Sequence, residues 1–184
     1  MRLFWTKGFD GTSISDLTRV MGIGSPSLYA AFASKEALYA EALRHYVEQN
    51  DHLAWSGFEA AKTARDAAMS LLMDSAAALT GSLEDNPLGC MVTLSSVDSE
   101  EHPGLASLVR EVRAAMFDRL LKRFSQGERD GELASSLDAK DLARYVQVVQ
   151  SGMSVLARDG ISRRDLESVA QVAMLGWDAR TAKA

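Results

Sequence analysis

Signals that start an α-helix recur along the whole 184-residue chain, and the alternating patterns typical of β-strands are nearly absent. Most of these signals consist of a capping side chain, an acidic residue in the next turn, and then apolar residues three and four positions apart. Three of them pair the cap with an aspartate three positions later: Ser13 with Asp16, Asp138 with Asp141, and Ser162 with Asp165. The sequence therefore predicts an all-α fold.

The predicted helices are short before residue 52 and longer after it. Glycines interrupt the first part at positions 8, 11, 22 and 24. We expect helices over about residues 13–20, 25–32, 35–52 and 58–80, the third of them starting after Ser34. Others are expected from Asn86-Pro87 and His102-Pro103, and two more over about 138–157 and 162–179. This change in helix length predicts two domains, residues 1–52 and 53–184.

Composition narrows the class of protein. The chain is 47% hydrophobic with a net charge of -5, it has no apolar stretch long enough to cross a membrane, and its start lacks the pattern of a secretory signal. One cysteine, Cys90, and three histidines exclude an intramolecular disulfide and a multi-cysteine metal site. We expect a cytoplasmic protein without a membrane partner, a cofactor or a metal. The first fifty residues carry five basic and five acidic side chains, so any contact with nucleic acid must come from a local surface.

The segment Gly22-Ile23-Gly24-Ser25-Pro26-Ser27 joins two predicted short helices. It lacks the third glycine of a dinucleotide-binding loop and follows a helix rather than a strand, which argues against a nucleotide site. Apolar residues on both sides can hold the two helices at a steep angle: Leu17, Val20, Ile23, Leu28 and Phe32. The pattern is that of a helix-turn-helix, whose second helix enters the major groove of DNA.

Residues 8–39, GFDGTSISDLTRVMGIGSPSLYAAFASKEALY, resemble the DNA-binding domain of the TetR family of bacterial transcriptional repressors. The resemblance is strong over these residues, and beyond them it covers only the helix layout, a Gly-Cys pair at 89–90 and the phrase GMSVLARD at 152–159. It implies an N-terminal three-helix DNA-binding domain and a C-terminal helical domain for ligand binding and dimerisation. It also implies a homodimer that binds a palindromic DNA operator and leaves it when a small-molecule effector enters the C-terminal domain.

The resemblance and the chemistry of the side chains together suggest DNA contacts. Tyr29 and Lys35 match positions that usually touch phosphates, and Thr12 or Ser13 can do the same at another helix start. Ser25, Ser27 and Ala30 are expected to face the groove, where hydroxyl and methyl groups meet base edges. Two alternatives stay open at this point: Tyr29 as a core aromatic residue, and Ser25 as a helix cap only.

The segment departs from the family pattern in two ways. The predicted recognition helix carries no charged side chain from Gly24 to Phe32, so specificity is expected to depend on small contacts and on DNA shape. Only seven residues precede Gly8, whereas the family has a full first helix there. Two or more turns of that helix are missing before Gly8: either the sequence lacks residues upstream of Met1, or its start is unusually short.

The last two predicted helices are apolar on more than one face, which a helix on the surface of a monomer does not need. The second face predicts a dimer interface formed by Val148, Gly152, Val155, Val172, Met174 and Leu175. A helix that is fully buried within a monomer is the alternative.

The family layout implies a pocket in the second domain, lined by large apolar or aromatic residues. The candidates are Trp55, Phe58, Met69, Met73, Met91, Leu94, Met116, Phe117, Tyr145 and Met153, and for each of them a closed core is the alternative. Few inward polar groups are evident, so an apolar or aromatic effector is favoured over a charged one. Cys90 is expected to be a buried small apolar residue, with a redox or electrophile sensor and a metal ligand as the alternatives.

Other functions stay open at this stage. A ligand-independent repressor or an activator would have the same fold. A helical small-molecule-binding protein or an enzyme would carry the helix-turn-helix without using it, although the sequence contains no nucleophile elbow, zinc-protease motif or phosphate-binding loop.

Overall fold

A computed structural model describes residues 1–134 and 136–182 of the chain. Within these residues the chain forms α-helices and no β-strand: α1 (Arg2–Lys7), α2 (Ile14–Met21), α3 (Ser25–Phe32), α4 (Lys35–Ala60), α5 (Ala64–Leu79), α6 (Met91–Leu94), α7 (Pro103–Arg129), α8 (Ala139–Arg158) and α9 (Arg163–Thr181). The all-α prediction is confirmed. Over these described ranges, no helix combines the length and the hydropathy that crossing a membrane requires.

The predicted helix caps are largely confirmed. Ser13 and Asp16 form a reciprocal capping box, in which each backbone N–H donates to the other residue's side chain at 3.0 and 3.3 Å. Ser34, Asp138 and Ser162 likewise accept a backbone N–H at the starts of α4, α8 and α9. These bonds satisfy donors that a helix cannot satisfy internally, which is why a local sequence signal fixes the helix start.

Three predicted boundaries are wrong. α4 does not end near His52 but continues to Ala60. The helix predicted from about residue 58 begins only at Ala64, as α5, where Thr63 caps the helix by accepting the backbone N–H of Asp66 at 3.0 Å. The helix predicted from Asn86-Pro87 is reduced to the single turn α6. Gly89 has a positive φ of 76°, and its backbone N–H donates to the carbonyl of Leu79 rather than within a helix.

The first three helices and the start of α4 pack around an aromatic centre. The ring of Tyr39 meets Phe4 and Phe9 edge-on, with centroids 4.9 and 5.3 Å apart. Leu17 of α2 and Leu28 of α3 are buried against the same cluster. α2 and α3 have only eight residues each and could not persist in water alone, so this core holds them in place. We call α1 to α3 with the start of α4 the head, and the remaining helices the body.

α5 lies at the centre of the body, between α4, α8 and α9. Its packing face is built mainly from small residues, with Ala67, Ala68, Ala76 and Ala77 all buried. Small side chains allow neighbouring helices to approach closely. Trp177 of α9 closes this part of the core against Phe124 of α7, with ring centroids 4.9 Å apart.

Several contacts join the head to the body. The indole N–H of Trp5 donates to the Gly89 carbonyl at 2.9 Å, and Arg158 donates to three carbonyls of the same junction, those of Trp5, Thr6 and Leu88. On the other side, His102 Nδ1 lies 3.1 Å from a carboxylate oxygen of Glu36. Any change in the angle between head and body must alter these contacts.

The turn between α3 and α4 contains a strained residue. Ala33 has φ 60° and ψ −42°, and the Ser34 N–H donates to the Phe32 carbonyl at 2.6 Å, which is the geometry of a classic γ-turn. An L-residue with a side chain rarely adopts this conformation, whereas glycine does so readily.

We therefore expect Ala33→Gly to raise the free energy of unfolding by about 1 kcal/mol, measured by urea denaturation at a fixed protein concentration. Ala31, which is exposed in the adjacent helix α3, provides the matched control. Ala31→Gly should lower the same free energy by about 1 kcal/mol, because glycine is unfavourable inside a helix. Destabilisation of similar size in both variants would contradict the strained turn.

Candidate nucleic-acid interface and internal cavity

α3 presents an exposed, uncharged face to solvent. Leu28 is fully buried and fixes the helix to the head, while Ser25, Ser27, Tyr29 and Ala30 are exposed. The exposed fraction of Tyr29 is 46%, so this residue is not a core aromatic. The four side chains stand free of the scaffold, as contacts to a groove or a phosphate require.

Ser25 is not the cap of α3. The cap is Gly24, whose carbonyl accepts the Leu28 N–H at 3.1 Å, and no side chain caps this helix. Ser25 lies one position inside the helix because the first helical hydrogen bond begins at Gly24. Its hydroxyl is therefore not used for capping.

Thr12 does not fit its predicted role as a surface contact. It is fully buried, and its hydroxyl donates to the Gly8 carbonyl at 2.7 Å. The hydroxyl satisfies a backbone acceptor at the end of α1 and is not presented to solvent. Ser13 is exposed, and its side chain accepts the Asp16 N–H.

Lys35 is the first residue of α4 and is partly exposed. Its ammonium lies 4.1 Å from the centroid of the Phe9 ring, a cation–π contact that holds the side chain against the head. This ammonium adds a positive charge to the positive end of the α4 dipole, beside the carboxylate of Glu36, whose pKa is lowered by the backbone N–H that it accepts.

A positive site lies at the start of α2. Lys7 and Arg19 both pair with Asp16, with Lys7 Nζ 3.2 Å from the carboxylate. The backbone hydrogen bond from Ser13, followed by the side-chain bonds from Lys7 and Ser13, lowers the pKa of Asp16 below its ordinary value. Two cations share one carboxylate here, so the cluster has a net charge of +1.

A cavity of about 260 Å³ lies where α1 of the head meets α4, α5, α7 and α8 of the body, beside the segment from Gly89 to Val92. Two of the predicted pocket residues, Trp55 and Met116, line it. Sequence reasoning missed the other lining residues: Trp5, Tyr46, Val47, Asn50, Asp51, Leu53, Ala54, Ser75, Ala78, Leu79, Gly89, Cys90, Val92, Val112, Ala115, Arg119 and Gln150. On α4 a helical stripe from Tyr46 to Ala54 was the available signal, but polar Asn50 and Asp51 interrupt its apolar pattern.

The remaining pocket predictions are wrong for this cavity. Met91 and Leu94 line a separate cleft of about 320 Å³ beside α1, and Tyr145 lines a groove of about 210 Å³ near Trp177. The other predicted residues belong to the packed core or its margin: Phe58, Met69, Met73, Phe117 and Met153. Phe58 packs against Trp55 on α4, with ring centroids 5.0 Å apart, which shows that residue size alone does not tell which face meets a cavity.

Cys90 is buried, as expected, and lines the main cavity. Its backbone N–H donates to the Ser154 hydroxyl at 2.8 Å. The neighbouring Tyr46 is partly buried, and the removal of its phenol from water raises the pKa of this group well above the ordinary value. Within the described ranges, no group of three or more histidine, cysteine or carboxylate side chains is arranged to hold a metal ion.

An apolar surface runs along α8 and α9. Val148, Val155, Val172 and Leu175 are 62%, 49%, 64% and 68% exposed, and a side chain added at Gly152 would meet open space. Met174 was predicted on this surface but is buried in the core, because it follows the inward stripe of α9 with Ala170 and Trp177. We call Val148, Gly152, Val155, Val172 and Leu175 the α8–α9 face.

The sequence of this chain is similar to those of known regulatory proteins. The sequence model of "Bacterial regulatory proteins, tetR family" matches residues 1–42. The HTH-type transcriptional repressor ComR of Escherichia coli (strain K12) is 31% identical over 181 residues, covering 96% of this chain and 84% of that protein. The HTH-type transcriptional repressor BdcR of the same organism is 29% identical over 174 residues, covering 93% and 81%.

Among solved structures, a cysteine mutant of the TetR family transcriptional regulator CifR, complexed with a 26-base-pair double-strand operator DNA, is similar with a TM-score of 0.89. Its sequence is 34% identical to this chain, and the match covers 96% of this chain and 92% of that one. All these proteins are named as transcriptional regulators rather than enzymes.

The buried position of Thr12 can be tested by its effect on stability. Thr12→Val keeps the shape of the side chain but leaves the Gly8 carbonyl without its donor, so we expect the free energy of unfolding to fall by about 1–3 kcal/mol. Thr12→Ser retains the hydroxyl and should lose only about 0.8 kcal/mol for the missing methyl group. Urea denaturation measures both values. Unchanged stability of Thr12→Val, with weaker DNA binding, would instead make Thr12 a DNA contact.

Proposed function

The chain belongs to the TetR family of bacterial transcriptional regulators, and we propose that it is a homodimeric, sequence-specific repressor that a small molecule releases from its operator. It is not an enzyme. Because an operator lies on the bacterial chromosome, the proposal also places the protein in the cytoplasm. ComR and BdcR are named repressors, and CifR is complexed with operator DNA, which supports the choice of function.

The exposed face of α3 is the observation that carries the DNA-binding proposal. Ser25, Ser27 and Ala30 offer hydroxyl and methyl groups for base edges, and Tyr29 and Lys35 offer donors for phosphates. Because these residues include no arginine or asparagine for bidentate contacts, small contacts and DNA shape supply the specificity. The positive site at the start of α2 and the Lys35 ammonium supply the attraction to the backbone.

The α8–α9 face supports the homodimer. Pairing α8 and α9 with their two-fold copies would form a four-helix interface and cover the exposed valines and Leu175. A stable interface of this kind buries roughly 1,200–2,000 Å² or more. In the DNA-bound dimer the two copies of α3 would sit roughly 34–36 Å apart, one turn of DNA, which requires a palindromic operator.

The cavity supports release by an effector, because the head contributes to its wall. Trp5 belongs to α1, lines the cavity and donates to Gly89 on the opposite side. A molecule in the cavity therefore touches the junction whose geometry sets the angle of the head. An effector that binds better when the two heads are splayed apart shifts the population away from the operator-binding form.

Binding to DNA from the region upstream of the protein's own gene tests the proposal. We expect tight, salt-sensitive binding in fluorescence anisotropy, well above the binding to a scrambled duplex of the same length. Equal affinity for both duplexes at every salt concentration would overturn sequence-specific binding. Reporter transcription with and without the protein separates repression from activation, and a repressor that no small molecule releases would be ligand-independent.

Lys35 provides a residue-level prediction. Lys35→Ala should weaken binding to all DNA sequences and reduce the slope of log affinity against log salt concentration by about 0.9 for the lost phosphate contact. Lys62→Ala, on an exposed lysine after α4 and outside the head, is the matched control and should leave the slope unchanged. A slope that does not change in Lys35→Ala would remove this lysine from the DNA interface.

Leu175 tests the dimer. Leu175→Asp places a charge at the centre of the apolar α8–α9 face, so we expect the dimer dissociation constant to rise by at least about 30-fold in sedimentation equilibrium. Leu83→Asp alters an exposed leucine in the loop after α5 and should leave it unchanged. If Leu175→Asp stays as dimeric as the unaltered chain, the interface lies elsewhere.

A further inference from the structure

We propose that the 260 Å³ cavity binds a small, uncharged aromatic molecule with one hydrogen-bonding group, its ring against Trp5, Tyr46 and Trp55 and its polar group on Gln150 and Ser75. The inference rests on the proposed function only in treating this molecule as the effector. Its chemistry follows from the walls of the cavity.

Three aromatic side chains give the cavity its apolar character. Trp5 and Tyr46 meet edge-on with centroids 4.7 Å apart, and Trp55 stands two and a half turns further along α4 from Tyr46. The Trp5 indole N–H is already bonded to Gly89, so its ring offers an apolar face rather than a polar group. Aromatic walls favour an aromatic ligand, because stacked and edge-on ring pairs add attraction beyond simple burial. A volume just below the roughly 300–1,000 Å³ of typical ligand pockets restricts this ligand to about two fused rings.

The charged groups at the cavity are paired with one another. Arg119 Nη1 lies 2.9 Å from both carboxylate oxygens of Asp51, and the guanidinium also bonds Glu59 and lies 4.3 Å from the Trp55 ring centroid. In the wall of the cavity the charges of Arg119 and Asp51 cancel, whereas the second carboxylate, that of Glu59, is not part of the wall and is 61% exposed to water. A charged molecule would lose its hydration without gaining a counter-ion, which is a strong selection for a neutral one.

Gln150 supplies the polar end of the cavity. Its side chain is 5% exposed, and its only hydrogen bond among the described residues runs from Nε2 to the Ser75 hydroxyl at 3.5 Å, the outer limit of such a bond. Neither a side chain nor a backbone group of the described residues donates to its Oε1. No buried side-chain nitrogen or oxygen atom of the described residues lacks a hydrogen-bond partner, so this Oε1 is not sealed inside the core. Because Gln150 lines the cavity, the acceptor and the weakly held donor are open to a hydroxyl or amide of a ligand.

A matched series of probes tests the ligand class on the full-length protein without DNA. Equilibrium dialysis compares naphthalene, 2-naphthol, 2-naphthoate and 2-naphthylmethylammonium, which share one ring system and differ in polar group and charge. We expect 2-naphthol to bind roughly 2- to 10-fold more tightly than naphthalene, the gain from one net hydrogen bond. Both charged probes should bind at least about 10-fold more weakly than 2-naphthol, because they find no free counter-ion.

Variants of Gln150 and Ser75 test whether these two residues bind the polar group of the ligand. Gln150→Leu should remove the preference for 2-naphthol to within about twofold while naphthalene still binds. Gln49→Leu, on an exposed glutamine of α4, should keep the preference. Ser75→Ala serves if Gln150→Leu does not fold, and it should reduce the preference at least about twofold.

Three results would overturn the inference: equal binding of naphthalene and 2-naphthol, tighter binding of either charged probe, or no binding of any probe. The last would mean that the cavity is part of a closed core. Operator binding, measured separately without probes, distinguishes this failure from that of the proposed function. A protein that binds its operator but no probe contradicts the inference alone, and one that binds 2-naphthol but no DNA contradicts the proposed function alone.

Discussion

The hydrogen bond from the Trp5 indole N–H to the Gly89 carbonyl joins the head to the body. The cavity and the proposed release mechanism both depend on this junction. A side chain at position 89 would come within 2.8 Å of the Ser154 carbonyl, so only glycine allows the loop to lie this close to α8. Arg158 then adds three donors to carbonyls on both sides of the same junction. Through these contacts α1 and α8 are joined to the same loop, which also forms part of the cavity wall.

In the head, two helices of only eight residues each, α2 and α3, are held in place because each element packs against the next. α2 has a capping box, α3 begins with a glycine and a proline, and α4 begins at a serine cap. None of these signals would hold a two-turn helix in water, because nucleation costs more than so few hydrogen bonds return. Tyr39 and Leu28 supply the remaining stabilisation by burial, and that burial leaves the opposite face of α3 free for contact with DNA.

The sequence predicted what depends on neighbours along the chain, and it failed where the fold brings distant residues together. The caps at Ser13, Ser34, Asp138 and Ser162 and the long helix from His102-Pro103 were predictable because a cap acts on a backbone group two or three positions away. The cavity was not, since Trp5 reaches Gly89 across 84 positions. Phe58 and Met153 are large and apolar because they fill the closely packed core, so their size did not indicate a ligand site.

The arrangement of the cavity limits how an effector can act. Coupling between two sites is reciprocal, so an effector that weakens operator binding by a given factor must itself bind the operator-bound protein more weakly by that factor. In the proposed mechanism the difference must arise at contacts that change when the head moves, and in the wall of the cavity Trp5 is the residue that belongs to α1. A ligand that met only α4, α5 and α8 could bind tightly and still leave the position of the head unchanged. Because α1 forms part of the wall, an effector bound in this cavity can change the position of the head.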